Sequence, residues 1–386
     1  MKNIKEEKKE IIYICNTILG DANRTHLNRV LFLCKNYTVH IFARKRICSV
    51  AYKKASSVYV LPSYLLKWLF PFWVIKKVYF NLKTYNNKII YSTYEPITLI
   101  TAYWVHMLGM KWVADIYDDP KKIIILLQQS KNIFSYIKLC LRWIEYGYAK
   151  ILLKKADLVV TLIKTEVEQN YFVRKDKILH ITNGVNLSVK FPKSVIKEES
   201  PFTIIYVGTV ETMRLRNVPD ILYSLYKKIG FFKFICIGYQ TNNGYKWLNN
   251  KVQAKCAEIA LEIKGVLPYE EVLQNIAQAH VCICPYPNIG DLNPAYPIKI
   301  FDYMAMGKPI VATRLRGIKE ILQDGVDGFL VAPNSSEEMA QSLAMLKENP
   351  KLCEKLSLAA KRKVRQYDWD IIHAKVLPAL NNIILK

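Results

Sequence analysis

The sequence predicts an α/β protein built from two doubly wound domains. Short apolar runs alternate with longer amphipathic stretches, the pattern of parallel strands joined by helices. The runs fall into two series with a polar stretch between them. The chain has 386 residues, room for two domains at roughly 150 residues each. With 51% hydrophobic and 23% charged residues, it can fill large cores and does not have the composition of a disordered chain.

In chain order, the first series of buried strands is expected at 10–15, 38–43, 88–92, 111–116, 158–162 and 178–181. Each is a brief apolar run of the length a strand needs. Residues 187–201 then hold Lys193, Lys197, Glu198 and Glu199 with two prolines and three serines, the composition of an exposed linker. The second series follows at 203–207, 232–237, 259–263, 281–285, 309–312 and 328–331. The last stretch, QYDWDIIHAKVLPALNNIILK, reads as a terminal helix whose Ile371, Ile372, Val376, Leu377 and Leu380 give it an apolar side. The expected domains are therefore 1–190 and 200–365, with a helix over 366–386.

Charge is unevenly spread. Residues 1–190 hold 31 Lys and Arg against 13 Asp and Glu, an excess of 18, while the remainder carries an excess of only 6. Such a surface attracts nucleic acid, anionic lipid or phosphorylated substrates without choosing among them. No basic recognition helix or aromatic and basic platform supports nucleic acid. Nine cysteines without paired C-x-x-C spacing argue against a disulfide scaffold or a zinc ribbon and fit a reducing compartment. MKNIKEEKKE is followed by no long apolar run, so no secretory signal is read and a cytoplasmic location is expected. Residues 97–110 are too short a run to span a bilayer. Residues 62–80 mix Trp68, Phe70, Phe72, Trp73 and Tyr79 with Lys67, Lys76 and Lys77. That mixture suits either a helix lying in a membrane interface or a core helix whose lysines reach out to water.

The most informative stretch is 291–328. A proline-rich loop, NPAYP, feeds a helical run at 298–306, with Gly307 as its stop and a buried strand beyond. A loop entering a helix N-terminus offers free N–H groups and a positive dipole end to an anion. Lys299 in the first turn opposes that dipole unless an anion is present. Asp302 lies one turn on, where a carboxylate can accept from ribose hydroxyls while Lys299 meets a diphosphate; the alternative is a plain surface ion pair. In the first half, Asp115, Asp118 and Asp119 sit at a strand end, where such sheets hold ligands, and Asp118 could serve as base or simply cap a helix.

The runs PIKIFDYMAMGKPIVA and GIKEILQDGVDGFLV closely resemble the donor-binding half of GT-B fold glycosyltransferases, family 4-like (group 1). ADLVVTLIKTEVE with HITNGVN, IIYVGTVETMRLRNVPDILYSL, GVLPYEEVLQNIAQAHVCICP and VADIYDDP extend the likeness along nearly the whole chain. The resemblance implies two facing Rossmann-like domains with a C-terminal helix crossing back to the first. It also implies transfer of a sugar, a hexose in most such enzymes, from a nucleoside diphosphate sugar, retaining and with no metal or other cofactor. Asp302 falls where the family has the second Glu of its E-x7-E motif, and Pro294 where it has the first. A basic residue on the loop after Gly208 would face the leaving diphosphate; Arg214 fits the spacing better than Arg216. Gly208, Arg216, Ala295, Tyr296 and Asp302 complete the implied donor set. Gly20 stands where the family often has a glycine pair near the donor, and Asp21, Asn23, Arg24 and His26 on the same stretch are candidate acceptor contacts. Lys299, Arg214 and Asp118 are the candidate catalytic groups. The acceptor expected is lipid-linked or a surface glycan, handled on the inner, anionic face of a membrane. An epimerase or hydrolase of the same fold is the alternative reaction.

Overall fold

The computed structural model describes residues 9–18, 24–81, 88–117, 133–193, 196, 199–289, 293 and 296–384. The chain divides into two compact units, Met1–Thr182 with Asp370–Lys386, and Asn183–Trp369.

Unit 1 runs β1 (Glu10–Cys15), α1 (Arg24–Asn36), β2 (Thr38–Ala43), α2 (Ser49–Lys54), β3 (Ser57–Val60), α3 (Phe70–Asn81), β4 (Lys88–Thr93), α4 (Pro96–His106), β5 (Lys111–Ile116), α5 (Ile133–Leu153), β6 (Leu158–Thr161), α6 (Lys164–Tyr171) and β7 (Ile178–His180). Its seven strands lie in the order β3-β2-β1-β4-β5-β6-β7, every pair parallel. Runs such as IIYIC and KIIYST are buried throughout because helices cover both faces of a parallel sheet. The strand order reverses between β1 and β4, which opens a crevice at their C-terminal ends. The sequence reading passed over β3: SVYV is four residues long and only partly covered, as an edge strand can be. In α3, Phe70, Val74 and Val78 are fully buried at four-residue spacing, while Phe72, Tyr79 and Phe80 on the other sides are exposed. The stretch thus combines a core face with a bare aromatic one. No helix among the described residues is long and apolar enough to cross a membrane.

Unit 2 runs β8 (Thr203–Val207), α7 (Thr212–Leu215), α8 (Val218–Ile229), β9 (Lys233–Ile237), α9 (Gly244–Lys255), β10 (Ala260–Gly265), α10 (Tyr269–Gln278), β11 (Val281–Cys284), α11 (Ile298–Ala305), β12 (Ile310–Thr313), α12 (Arg316–Lys319), β13 (Phe329–Val331), α13 (Ser336–Glu348) and α14 (Pro350–Lys363). The parallel order is β10-β9-β8-β11-β12-β13, again with a reversal, here between β8 and β11. The stretches entering and leaving the unit run side by side. Val185 N–H donates to Tyr367 O at 3.0 Å, Trp369 N–H to Val185 O at 3.1 Å, and Leu187 N–H to the Asp368 carboxylate at 3.0 Å.

The terminal helix is two short ones, α15 (Trp369–Ala374) and α16 (Val376–Ile384). Pro378 explains the break, since its ring would clash with the carbonyl four residues earlier in a continuous helix. Ile372, Val376 and Leu380 are buried, whereas Ile371 is half exposed.

Lys308 shows how unit 2 closes a helix end. Its buried ammonium donates to Ala277 O at 2.6 Å and Ala279 O at 2.7 Å, meeting carbonyls at the α10 C-terminus that the helix leaves unsatisfied. Lys308→Met keeps the apolar stem but strands both acceptors. We expect it to lower unfolding stability by about 1–3 kcal/mol in urea titrations; a change within experimental error would show that the carbonyls find other partners.

Candidate active site

The loops leaving β8 and β9 meet backbone to backbone. Gly208 has φ +140° and Gly238 φ +143°, values that favour glycine, and a Cβ on Gly238 would lie 2.0 Å from Gly208 O. A Cβ on Gly208 would in turn stand 2.5 Å from Lys299 Nζ. Glycine therefore lets the Lys299 ammonium lie directly against the main chain at the end of β8.

Lys299 sits in the first turn of α11, which follows Pro297. Its side chain is buried, and Nζ lies 3.7 Å from the Tyr206 ring centroid and 4.7 Å from that of Tyr286. Among the described residues the ammonium has no hydrogen-bond acceptor. Two aromatic faces hold the cation there, but a buried ammonium without an acceptor leaves its donors unmet, which an anion would correct. Arg214, on α7, also approaches Tyr286. Its Nη1 donates to Tyr286 Oη at 3.4 Å and its Nε to Glu211 Oε2 at 3.1 Å, with Cζ 5.7 Å from the ring centroid.

Asp302, one turn further along α11, is almost fully buried and accepts from Tyr269 Oη at 2.9 Å. Lys299 and Asp302 are thus not a surface ion pair: both are inside the unit, one against aromatic rings and the other against Tyr269. Val207 N–H donates to Tyr303 Oη at 2.9 Å, tying α11 to the end of β8 and fixing Lys299 relative to Gly208. Asn293 holds the start of α12, accepting from Arg316 N–H at 2.8 Å and, through its carbonyl, from Gly317 N–H at 2.9 Å.

The structure thus gathers Gly208, Arg214 and Lys299, with Asp302 on the same helix. It separates Arg216, an exposed side chain whose Nη2 donates to Asn334 Oδ1 at 3.0 Å. Tyr296 is buried; its hydroxyl donates to Glu320 and its carbonyl accepts from Asn183 Nδ2 at 2.7 Å. Gly20, Asp21, Asp118 and Ala295 lie outside the described residues, as do Asn23, Asp119 and Pro294. Arg24 opens α1, but its side chain is likewise outside what is described. Sequence reasoning missed Tyr206, Tyr286, Tyr269 and Glu211. The position of Tyr286, two residues past β11, was a usable signal, because ligands gather at the C-terminal ends of such strands.

In unit 1 the candidate acceptor residue His26 is buried beside a polar cluster. Arg29 Nε is 3.5 Å from Asp115 Oδ2, with both side chains fully buried. Tyr91 donates to Asp115 Oδ2 at 2.7 Å. The His26 ring lies 5.6 Å from Tyr13 and 5.6 Å from Tyr117. Burial, and then the neighbouring Arg29 charge, pull the His26 pKa down to about 3. The unfolded chain regains a pKa near 6.5, so between these values only the unfolded state binds the proton. Stability falls as pH drops through this window, by about 1.4 kcal/mol per pH unit from this group. His26→Gln should therefore flatten the acid side of the stability profile; identical profiles for both proteins would refute the assignment.

Residues 201–349 match the family described as Glycosyl transferases group 1. An uncharacterised glycosyltransferase of Methanocaldococcus jannaschii is 26% identical over 227 residues, 58% of each chain. The phosphatidyl-myo-inositol mannosyltransferase of Mycobacterium leprae is 34% identical over 91 residues, 24% of each chain. The chain thus spans just over half the length of the first of these relatives and about a quarter of the second. The Anabaena protein HepE, solved in complex with UDP and glucose, superposes with a TM-score of 0.70 at 16% identity over 97% of this chain and 99% of its own. The fold is that of the GT-B glycosyltransferases. The match to the group 1 family lies within unit 2.

Proposed function

We propose that the protein transfers a sugar, with retention and without a metal, from a nucleoside diphosphate sugar to a lipid-linked or surface-glycan acceptor. The observation that carries this reading is the buried ammonium of Lys299, without a hydrogen-bond acceptor among the described residues and set against Gly208, with Arg214 bonded to Tyr286. Two fixed cations beside a bare backbone loop suit a diphosphate whose charge grows as the glycosidic bond breaks, the part a metal ion plays elsewhere. That HepE binds UDP and glucose supports a UDP-sugar donor. Asp21, Arg24 and His26 are proposed to meet the acceptor, with Asp118 orienting or deprotonating its hydroxyl, and Gly20, Gly208, Ala295 and Tyr296 to line the donor.

The charge excess of unit 1 and its exposed aromatic residues support work at the inner, anionic face of a membrane. The M. leprae relative, named as a mannosyltransferase of a phospholipid, supports a lipid acceptor. Thermal-shift screening of UDP-, GDP- and dTDP-sugars, followed by transfer to crude lipid extract, tests the reading. No stabilisation by any nucleotide sugar would reject it, and anomer analysis of the product by NMR decides retention.

Asp302 is proposed to hold the ribose. Such a contact persists from ground state to transition state, so its loss raises KM far more than it lowers kcat. Asp302→Asn should weaken UDP binding by about tenfold, the value of a hydrogen bond to a charged group; an unchanged Kd by calorimetry would remove the ribose role.

A further inference from the structure

Unit 1 holds a second cavity, unrelated to the polar cluster at its strand ends. A groove of about 720 Å³ lies between β3 and α3. Its volume falls in the roughly 300–1,000 Å³ range of small-molecule sites. Tyr59, Leu65 and Trp73 line it from the inside and pack against the unit's hydrophobic core. Lys76 and Lys77 also line it, and neither forms a hydrogen bond or ion pair among the described residues. β3 ends the sheet among the described residues, so the groove lies along an edge strand. Bare aromatic side chains also line it, Tyr64 at 83% exposed and Phe80 at 68%, and Trp68, three residues after Leu65, is 62% exposed.

We propose that this groove takes one hydrocarbon chain of an anionic lipid, with Lys76 and Lys77 pairing its phosphate. A trough walled by aromatic and aliphatic side chains, with two cations unpaired among the described residues, matches an amphiphile that carries charge at one end, and its exposed aromatic residues match the interface from which it would enter. A peptide added to the β3 edge would use backbone groups and leave both lysines unmatched. The lipid is the acceptor or its anchor, so this assignment rests on the glycosyltransferase reading for its role but not for its detection.

The full chain is mixed with phosphatidylcholine vesicles, with or without phosphatidic acid bearing a photoreactive acyl chain, irradiated, and mapped by mass spectrometry. Adducts are expected on Tyr59, Leu65 and Trp73 from the phosphatidic acid vesicles, undiminished by excess inorganic phosphate. They should fall about tenfold or more in Lys76→Gln/Lys77→Gln, as two lysines near an anionic surface imply. Val60→Trp, at an exposed groove position, should block the trough by bulk alone. Adducts confined to Trp68 and Phe72, adducts unchanged in both variants, or none at all would overturn the proposal. Calorimetry with UDP on the same preparation keeps the two readings apart. UDP binding without groove adducts defeats the groove alone, and groove adducts without UDP binding defeat the donor site alone.

Discussion

Lys299→Ala is expected to lower the rate of sugar transfer by about 10²–10³, with circular dichroism unchanged. The side chain ends between Tyr206 and Tyr286 with no acceptor for its hydrogen bonds among the described residues, so the folded protein already bears the cost of placing a cation there. That arrangement is useful only if negative charge arrives. It is worth most when the leaving diphosphate gains charge, so the loss should appear in kcat rather than in KM. Arg214→Ala should act in the same direction. The two losses should not add, because both cations flank Tyr286 and would share one leaving group. Lys299→Arg is not expected to rescue, because a planar guanidinium presents its donors in a different geometry from the ammonium held beside Gly208 and the two rings. If both folded alanine variants turn over at near wild-type rate, the assignment of this site falls.

The second large effect is on stability. Asp115→Ala removes the carboxylate facing Arg29 while the guanidinium stays fully buried. Removing one partner of a buried pair typically costs about 3–5 kcal/mol, because the remaining charge has neither water nor counter-ion. Tyr91 loses its acceptor as well. The urea transition of unit 1 should shift far to lower denaturant while that of unit 2 holds. The double variant Arg29→Met/Asp115→Leu should recover most of the loss, since two apolar groups of similar volume leave no charge stranded. An Asp115→Ala protein within about 1 kcal/mol of wild type would mean that water reaches the pair.

The strands were the most legible part of the sequence. A parallel strand covered on both faces must be apolar at nearly every position, so EIIYIC or TIIYV can hardly be read otherwise. β3 escaped because an edge strand needs only part of that signal. Lys299 was legible because a lysine in the first turn of a helix contradicts the dipole, and local contradictions tend to mark sites. The tyrosines around it were not. On β8 and just past β11 they satisfy the pattern of core residues, and only the three-dimensional meeting of Tyr206, Tyr286 and Gly208 shows them holding a cation. Arg29 was missed for the opposite reason. An arginine on an amphipathic helix reads as solvent-facing, and nothing local announces that Asp115, 86 positions later in the chain, waits for it inside the unit.

The membership of Asp370–Lys386 in unit 1 has a bearing on how the molecule is made. Lys35 on α1 pairs with Asp370 at 2.8 Å, and Phe32 meets His373 at 5.4 Å, so part of the first unit's covering is encoded after the whole of the second. During synthesis at roughly 5–20 residues per second, unit 2 is complete before those residues appear, and the usual N-terminal-first order of domain folding is broken. Unit 1 must wait on the ribosome with the α1 surface around Phe32 uncovered, for the time it takes to translate some 190 intervening residues. A nascent chain arrested just before residue 370 should accordingly show a protease-resistant unit 2 and a susceptible unit 1, and this interval is when chaperone engagement would matter most.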